Sequence, residues 1–267
     1  MLVGTGVFRK AMTGRRLLMV GALLAALTSL LAGSAGAATV RVGTLVLHAD
    51  GGFEPRLLPK RKFAPIRFQG YGQIKTTDGS TPPALQHVKL EFDHDGHLTT
   101  TGLPSCPVAK LEGATTAQAR RRCHSAIVGT GHVAAVVNLA GLARIDMHVP
   151  LTLFNGPRRD GNPTVLGHAQ APFPISETYL IVAPIERLHG SIYGYRSEFN
   201  IPPIAGGLGS LTRIDAKIGR RYSFHGRKLS FVSARCSDYI LQTRGRFSFA
   251  DGTIIAGDAF KPCTPRP

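Results

Sequence analysis

The sequence predicts an all-β fold: a single antiparallel β-sandwich, with a closed β-barrel as the second arrangement. Two observations carry this. Apolar and polar residues alternate with a period of two, as in Val88, Leu90 and Phe92 against Lys89, Glu91 and Asp93, the pattern of a strand with one buried face. Turn residues punctuate such runs along the whole chain: 31 Gly and 18 Pro are scattered over 267 residues without a linker or a tandem repeat, so about eleven strands share one domain. With 43% hydrophobic and 18% charged residues the composition is neither disordered nor collagen-like. A mature chain of this length hides about 70% of its surface on folding, enough for a sizeable core.

Residues 1–37 stand apart from that domain. Arg9, Lys10, Arg15 and Arg16 come without any Asp or Glu, the apolar run Leu17 to Leu27 follows, and Ala35-Gly36-Ala37 ends the segment with small residues. This is the order of a secretory signal peptide, cleaved before Ala38. The alternative is an uncleaved anchor, since Leu17 to Ala38 is 22 residues long and could span a bilayer. Ser34 stands where a lipoprotein would need its lipidated Cys. Arg15-Arg16 matches twin-arginine export only in part, so the general secretory route is favoured. The expected location is secreted or associated with the cell envelope, and the expected domain is 38–267. Cleavage removes four cations and leaves 28 basic against 16 acidic residues, a formal +12.

Within the domain the strands fall in order. Val40 to His48 and Phe63 to Thr76 come first, then Val88 to Asp93. There Asp93-His94-Asp95-Gly96-His97 reads as a hairpin with a three-residue loop and a left-handed Gly96, which keeps Phe92 opposite Leu98. A short helix interrupts next. Thr115 and Gln118 form a capping-box pattern, and Arg120, Arg121 and Arg122 sit in the last turn, where cations favour the helix dipole. Ala126 to Val137 precedes the run in which Ile145, Met147, Val149, Leu151 and Leu153 share one face. Pro150 lacks an N–H and places that strand at an edge or a bulge. Val165 to Gln170, Thr178 to Arg187, Gly190 to Phe199, Thr212 to Ile218 and Lys228 to Cys236 follow. Last, Asp251-Gly252 suits a type I′ hairpin that sets Phe249 opposite Ile254.

Cys106, Cys123, Cys236 and Cys263 all lie beyond the leader. An even count in an exported chain reads as two disulfides, and short loops favour Cys106 with Cys123 and Cys236 with Cys263. Zinc is disfavoured because there is no C-x-x-C and no H-E-x-x-H.

Candidate chemistry is thin. The Asp93 to His97 cluster fails as a calcium loop, since Pro104 stands where the bidentate Glu belongs, and turn chemistry accounts for its Asp and Gly. Ten His are dispersed and no G-x-S-x-G elbow occurs. Gly129-Thr130-Gly131 lacks the Lys and the helix start of a phosphate loop. Asp258 counts onto the inner face of its strand, unless a bulge at Gly257 turns it outward. We expect no cofactor and no metal. The absence of Trp weakens a carbohydrate-binding reading.

The stretches Thr101 to Cys106, Thr115 to Cys123, Ile127 to Gly131, Phe224 to Cys236 and Phe247 to Gly252, with Cys263, resemble a family of exported, β-rich actinobacterial proteins to which no activity is assigned. The resemblance covers most of the mature chain. It implies export and a β fold and carries no catalytic residue onto these positions.

The remaining signal is charge. Arg outnumbers Lys 23 to 9, with clusters at Arg61-Lys62, Arg120 to Arg122 and Arg220-Arg221, and the forked guanidinium suits phosphate or carboxylate. The leading expectation is therefore a noncatalytic envelope protein whose Arg clusters contact anionic polymer or lipid head groups. Nucleic acid is not expected outside the cell. The alternatives are a secreted hydrolase or isomerase using dispersed residues such as His132, His148, His168, Asp146 and Asp258, and a barrel that carries a small apolar ligand in a cavity lined by Phe231, Phe247 and Ile254.

Overall fold

Twelve strands join edge to edge into one antiparallel sheet that curls until its two outermost strands almost meet. The all-β class stands, and the barrel is the arrangement the chain adopts. The computed structural model describes residues 37–174 and 176–266; the expected leader, up to residue 36, lies outside them. Among the described residues no helix is long and apolar enough to cross a membrane.

The strands in chain order are β1 (Ala38–Val42), β2 (Leu45–Glu54), β3 (Leu57–Pro59), β4 (Ala64–Pro65), β5 (Arg67–Thr76), β6 (Leu85–Asp93) and β7 (Gly96–Leu98). The helix α1 (Thr116–Arg122) comes next, then β8 (Ile127–Val137), β9 (Ile145–Arg159), β10 (Asn162–Ala171), β11 (Glu177–Arg187), β12 (Tyr193–Asn200) and β13 (Gly209–Ile218). The chain finishes with β14 (Arg221–Phe224), β15 (Arg227–Ser230), β16 (Val232–Ala234), β17 (Ile240–Phe249), β18 (Ile254–Pro262) and β19 (Thr264–Arg266). The barrel order is β1-β2-β5-β13-β8-β9-β10-β11-β12-β6-β17-β18. A three-stranded sheet, β4-β16-β7, lies at one end, where β6 leaves the barrel.

Period-two alternation sets which face each strand buries. Met147, Val149, Leu151 and Leu153 of β9 are buried in the interior cluster with Leu45, Leu47, Ile74 and Phe231. The outer face carries Lys75, Asp146, Lys217 and Arg246, all exposed. Apolar inside and charged outside is the reverse of a membrane barrel. A second layer covers part of the outer wall: Phe154 and Leu166 point outward and are fully buried under the α1 excursion with Leu111, Ala119 and Cys123.

The helix forms as its sequence specifies. Thr115 caps it, with Gln118 N donating to Thr115 Oγ1 at 3.2 Å and Thr115 N to Gln118 Oε1 at 3.0 Å. The Cys106–Cys123 disulfide holds this excursion, and Cys236–Cys263 ties the chain end. Two such bridges fit maturation in an oxidising compartment.

Several expectations are corrected. Val40 to His48 is not one strand: Gly43, at φ 58°, turns β1 back onto β2. The Asp93 to His97 segment is a corner, not a hairpin; β6 pairs with β12 and β17, while β7 pairs with β16, and Gly96 is not among the glycines with positive φ. Lys228 to Cys236 divides between β15 and β16. Pro150 sits in a central strand between β8 and β10. It is accommodated because the β9–β10 ladder ends at Ala169 and Leu151, so no partner needs its missing N–H. After Phe249 the loop has three residues, Ala250-Asp251-Gly252, closed by Phe249 N to Thr253 O at 2.9 Å. That one-residue change sets Ser248, not Phe249, opposite Ile254 and reverses the faces of β18.

Candidate functional site

Inward-facing positions change size along the barrel axis. Leu45 and Leu47 of β2 give way to Ala49 and Gly51, then to Phe53; on β5 the order is Ile74, Gly72, Gly70, Phe68. On β18 Ile255 is followed by Gly257 and Ala259, and across the barrel Gly167, Ala183 and Ala216 stand at middle positions. Large side chains therefore fill both ends while Gly and Ala leave the middle open. The result is an interior chamber of about 440 Å³, within the range of small-molecule sites. Phe231 and Val232 close the end at which β4, β7 and β16 pack.

Two of the glycines at this level, Gly70 and Gly167, leave room instead of meeting a backbone demand, whereas a Cβ on Gly51 would lie 3.2 Å from Gln69 O. A Cβ on Gly70 would meet only Phe68 Cε1 at 3.7 Å, and one on Gly167 only side chains of Ile181, Leu153 and Leu151 at 3.6–3.7 Å. Gly131 is different: its Cβ would lie within 1.9 Å of Asp215 O, so β8 and β13 approach too closely for any side chain. That close approach gives Gly129-Thr130-Gly131 a structural purpose.

Polar groups reach the chamber wall at several points, among them Asp93, His97 and the Asp50–Lys261 pair. Asp93 is buried, its Oδ1 accepting from Asp95 N at 2.8 Å and its Oδ2 from Gln242 N at 3.0 Å. Burial pushes its carboxyl upward, against those two hydrogen bonds. His97 stacks on Phe63 with ring centroids 4.8 Å apart and lies 3.3 Å from Tyr195 Oη through Nδ1; burial, with Arg187 nearby, holds its imidazole below the ordinary value. At the seam, Lys261 Nζ is 2.5 Å from Asp50 Oδ1.

Asp93, His94 and Asp95 bring three potential ligand atoms within 4.8 Å of one another. Their carboxylates are already committed. Asp95 accepts from Arg235 Nε and Ser237 N, both at 2.6 Å, and Asp93 accepts from the two amides above. The corner thus joins β6 to the segment around Cys236, each of its four carboxylate oxygens already accepting one hydrogen bond.

The residues singled out from the sequence divide. Phe231 and Phe247 line the chamber, but Ile254 is 45% exposed and Ile255 takes its place inside. Asp258 faces outward beside Arg244 Nε at 2.9 Å and Tyr193 Oη at 3.0 Å, through the shifted phase of β18 and without a bulge at Gly257. None of His132, His148, His168, Asp146 and Asp258 lines the chamber. His168 is buried under the α1 layer, its Nε2 2.9 Å from Ala114 O, and His132 pairs with Asp215 at 3.5 Å.

The cationic candidates fall in three places: Arg61 and Lys62 lie between β3 and β4, Arg120 to Arg122 form the last turn of α1 on the outer wall, and Arg220 precedes β14, which opens with Arg221. Three of them bind the fold: Arg120 Nε donates to Thr152 Oγ1 at 3.0 Å, Arg122 to Lys110 O at 3.2 Å and Arg220 to Ile127 O at 2.9 Å. Arg61, Lys62, Arg121 and Arg221 are exposed. Strand ends and connections at the end opposite β4, β7 and β16 carry Asp78, Asp146, Glu177 and Asp251 with Lys75 and Arg144.

Sequence reasoning missed the chamber as a set of small residues. The available signal was glycine at alternate inward positions of strands, as in Gly70-Tyr71-Gly72, which marks space or close approach. No family model, curated protein or solved structure matches the chain.

Proposed function

We propose that this protein is an exported, noncatalytic carrier that holds a small apolar ligand inside its barrel. The observation that carries the reading is the chamber of about 440 Å³, walled by aliphatic and aromatic side chains and opened by Gly and Ala at its middle level. Such a space favours a ligand through burial of apolar surface, about 0.8 kcal/mol per CH₂. The leader expected from the sequence, the two disulfides and the resemblance to exported proteins support a location outside the cytoplasm.

The test is titration with N-phenyl-1-naphthylamine, whose fluorescence rises in apolar surroundings. Saturable binding to the wild type is expected, weakened about tenfold or more in a Gly70→Leu/Gly167→Leu protein that fills the chamber and melts no lower than the wild type. Absence of saturable binding, or binding indifferent to filling, rejects the reading.

A second reading rests on Arg61, Lys62, Arg121 and Arg221, all exposed. These cations suit anionic envelope polymer or lipid head groups. Retention on envelope material should fade as salt rises, because screening acts within about 8 Å already at physiological strength. Retention unchanged at about 0.5 M salt excludes it.

A further inference from the structure

We propose that the chamber takes an amphiphile with one acidic head group, a long-chain carboxylate, whose head binds Lys261 at the barrel seam while its tail occupies the Gly and Ala level. This rests on the carrier reading above and adds the chemistry of the ligand.

The seam is where the sheet fails to close. β1 pairs with β2 only from Val42–Leu45 to Ala38–Ala49. No ladder joins β18 to β1 or β2, although they lie side by side. From Asp50 onward the free edge of β2 therefore faces β18 across an unbonded gap. Gly51 and Gly52 lie beyond Ala49, the last residue of β2 paired with β1, and put no side chain into this gap.

Lys261 belongs to the inward set of β18, in register with Leu241 of β17. Its side chain is only 17% exposed, so its charge lies at the mouth of an apolar space. Arg213 is the other cation at the wall, but its side chain is half exposed and lies over the Tyr71 ring at 4.9 Å. An ammonium has three donors, and among the described residues the partner found for Lys261 is Asp50 alone. Two donors remain for a head group. A partly dehydrated site strengthens a carboxylate bond relative to water.

Asp50 is the built-in competitor. Burial alone would raise its carboxyl, but hydrogen bonds from Lys261 and Gly51 hold it below the ordinary value, so it stays ionised on the same ammonium. A ligand carboxylate shares Lys261 with it and is repelled by it. Removing the Asp50 charge should therefore strengthen acid binding, which a purely structural ion pair would not do.

The test compares cis-parinaric acid with its methyl ester, titrated into the purified exported protein and its variants. The wild type should bind the acid about tenfold or more tightly than the ester, the scale of one charge-assisted hydrogen bond. Lys261→Met should bring the two together with ester binding retained, which also shows that the barrel is intact. Lys261→Arg should keep the preference, and Asp50→Asn should widen it severalfold. Equal binding of acid and ester by the wild type, or a preference that survives Lys261→Met, overturns the head-group assignment and leaves the carrier reading standing. If neither probe binds, both fall.

Discussion

Arg235 Nε lies 2.6 Å from Asp95 Oδ1, and the Asp95 side chain is completely buried. Its other oxygen accepts from Ser237 N at 2.6 Å, so one carboxylate fixes the corner after β6 against the segment that carries Cys236. Arg235 also closes over the Phe63 ring at 5.2 Å, which brings the β3–β4 connection into the same assembly.

Replacing Asp95 by Ala strands a guanidinium and a backbone amide together. Breaking such a pair costs about 3 kcal/mol, and a melting temperature lower by roughly 6–12 °C is expected for a domain of this size. Burial alone would raise the Asp95 carboxyl, but Arg235 and the Ser237 hydrogen bonds hold it below 3.8. A depressed carboxyl contributes stability above its unfolded value that is lost as pH falls through the folded one. Asp95→Asn should therefore flatten the stability curve below about pH 4, measured by denaturant titration against the wild type.

His168 gives an acid response in a higher window. Burial holds its imidazole below 6.5, partly opposed by the hydrogen bond to Ala114 O. The neutral form is favoured by folding, so its stability contribution is full above the unfolded value and declines as pH drops through the lowered folded value. Amide protection across residues 106–126, the layer above His168, should fall as pH drops below about 6.5, once intrinsic exchange is divided out. His168→Gln, which still donates but does not titrate, should remove that loss of protection.

Glycine to alanine should have opposite effects at two inward positions. Gly131→Ala drives a Cβ into Asp215 O and should cost about 2–3 kcal/mol through strand separation. Gly70→Ala meets ordinary contact at 3.7 Å and should be neutral or stabilise by about 0.5 kcal/mol, because the unfolded chain loses freedom. Thermal melts of both proteins at one pH decide it.

The disulfides should act on separate regions. Their sequence separations are 17 and 27, so each restricts the unfolded chain by about 3 kcal/mol in the entropy model. Removing Cys106–Cys123 should release the α1 layer, whereas removing Cys236–Cys263 should free β19 from β3. Hydrogen exchange in the paired Cys→Ser variants should show two non-overlapping footprints.

Much of this molecule is local and therefore readable in advance. Thr115 and Gln118 cap a helix through bonds within one turn, and the Ile145 to Leu153 alternation buries the expected face because side-chain direction follows strand geometry. The two Cys pairs join residues close in sequence, where loop closure is least costly. By contrast, the Asp93 to His97 cluster looked like a hairpin because its turn residues are local, yet β7 finds its partner in β16, far along the chain. The seven cationic candidates could be named, but that Arg120 and Arg220 would be held by Thr152 and Ile127 depends on contacts between residues far apart in the chain.

The sequence by itself determined that nearly every strand would bury one face, that four thiols would pair, and that surplus cations would remain on the surface. Only the tertiary structure decided what those faces are buried against. Alternation demands an apolar partner but is satisfied equally by a second sheet or by the same sheet curling on itself. One extra residue in the loop before Thr253 then settled the phase of β18, turning Asp258 to solvent and Lys261 to the interior, because a strand with a two-residue period has no intermediate setting.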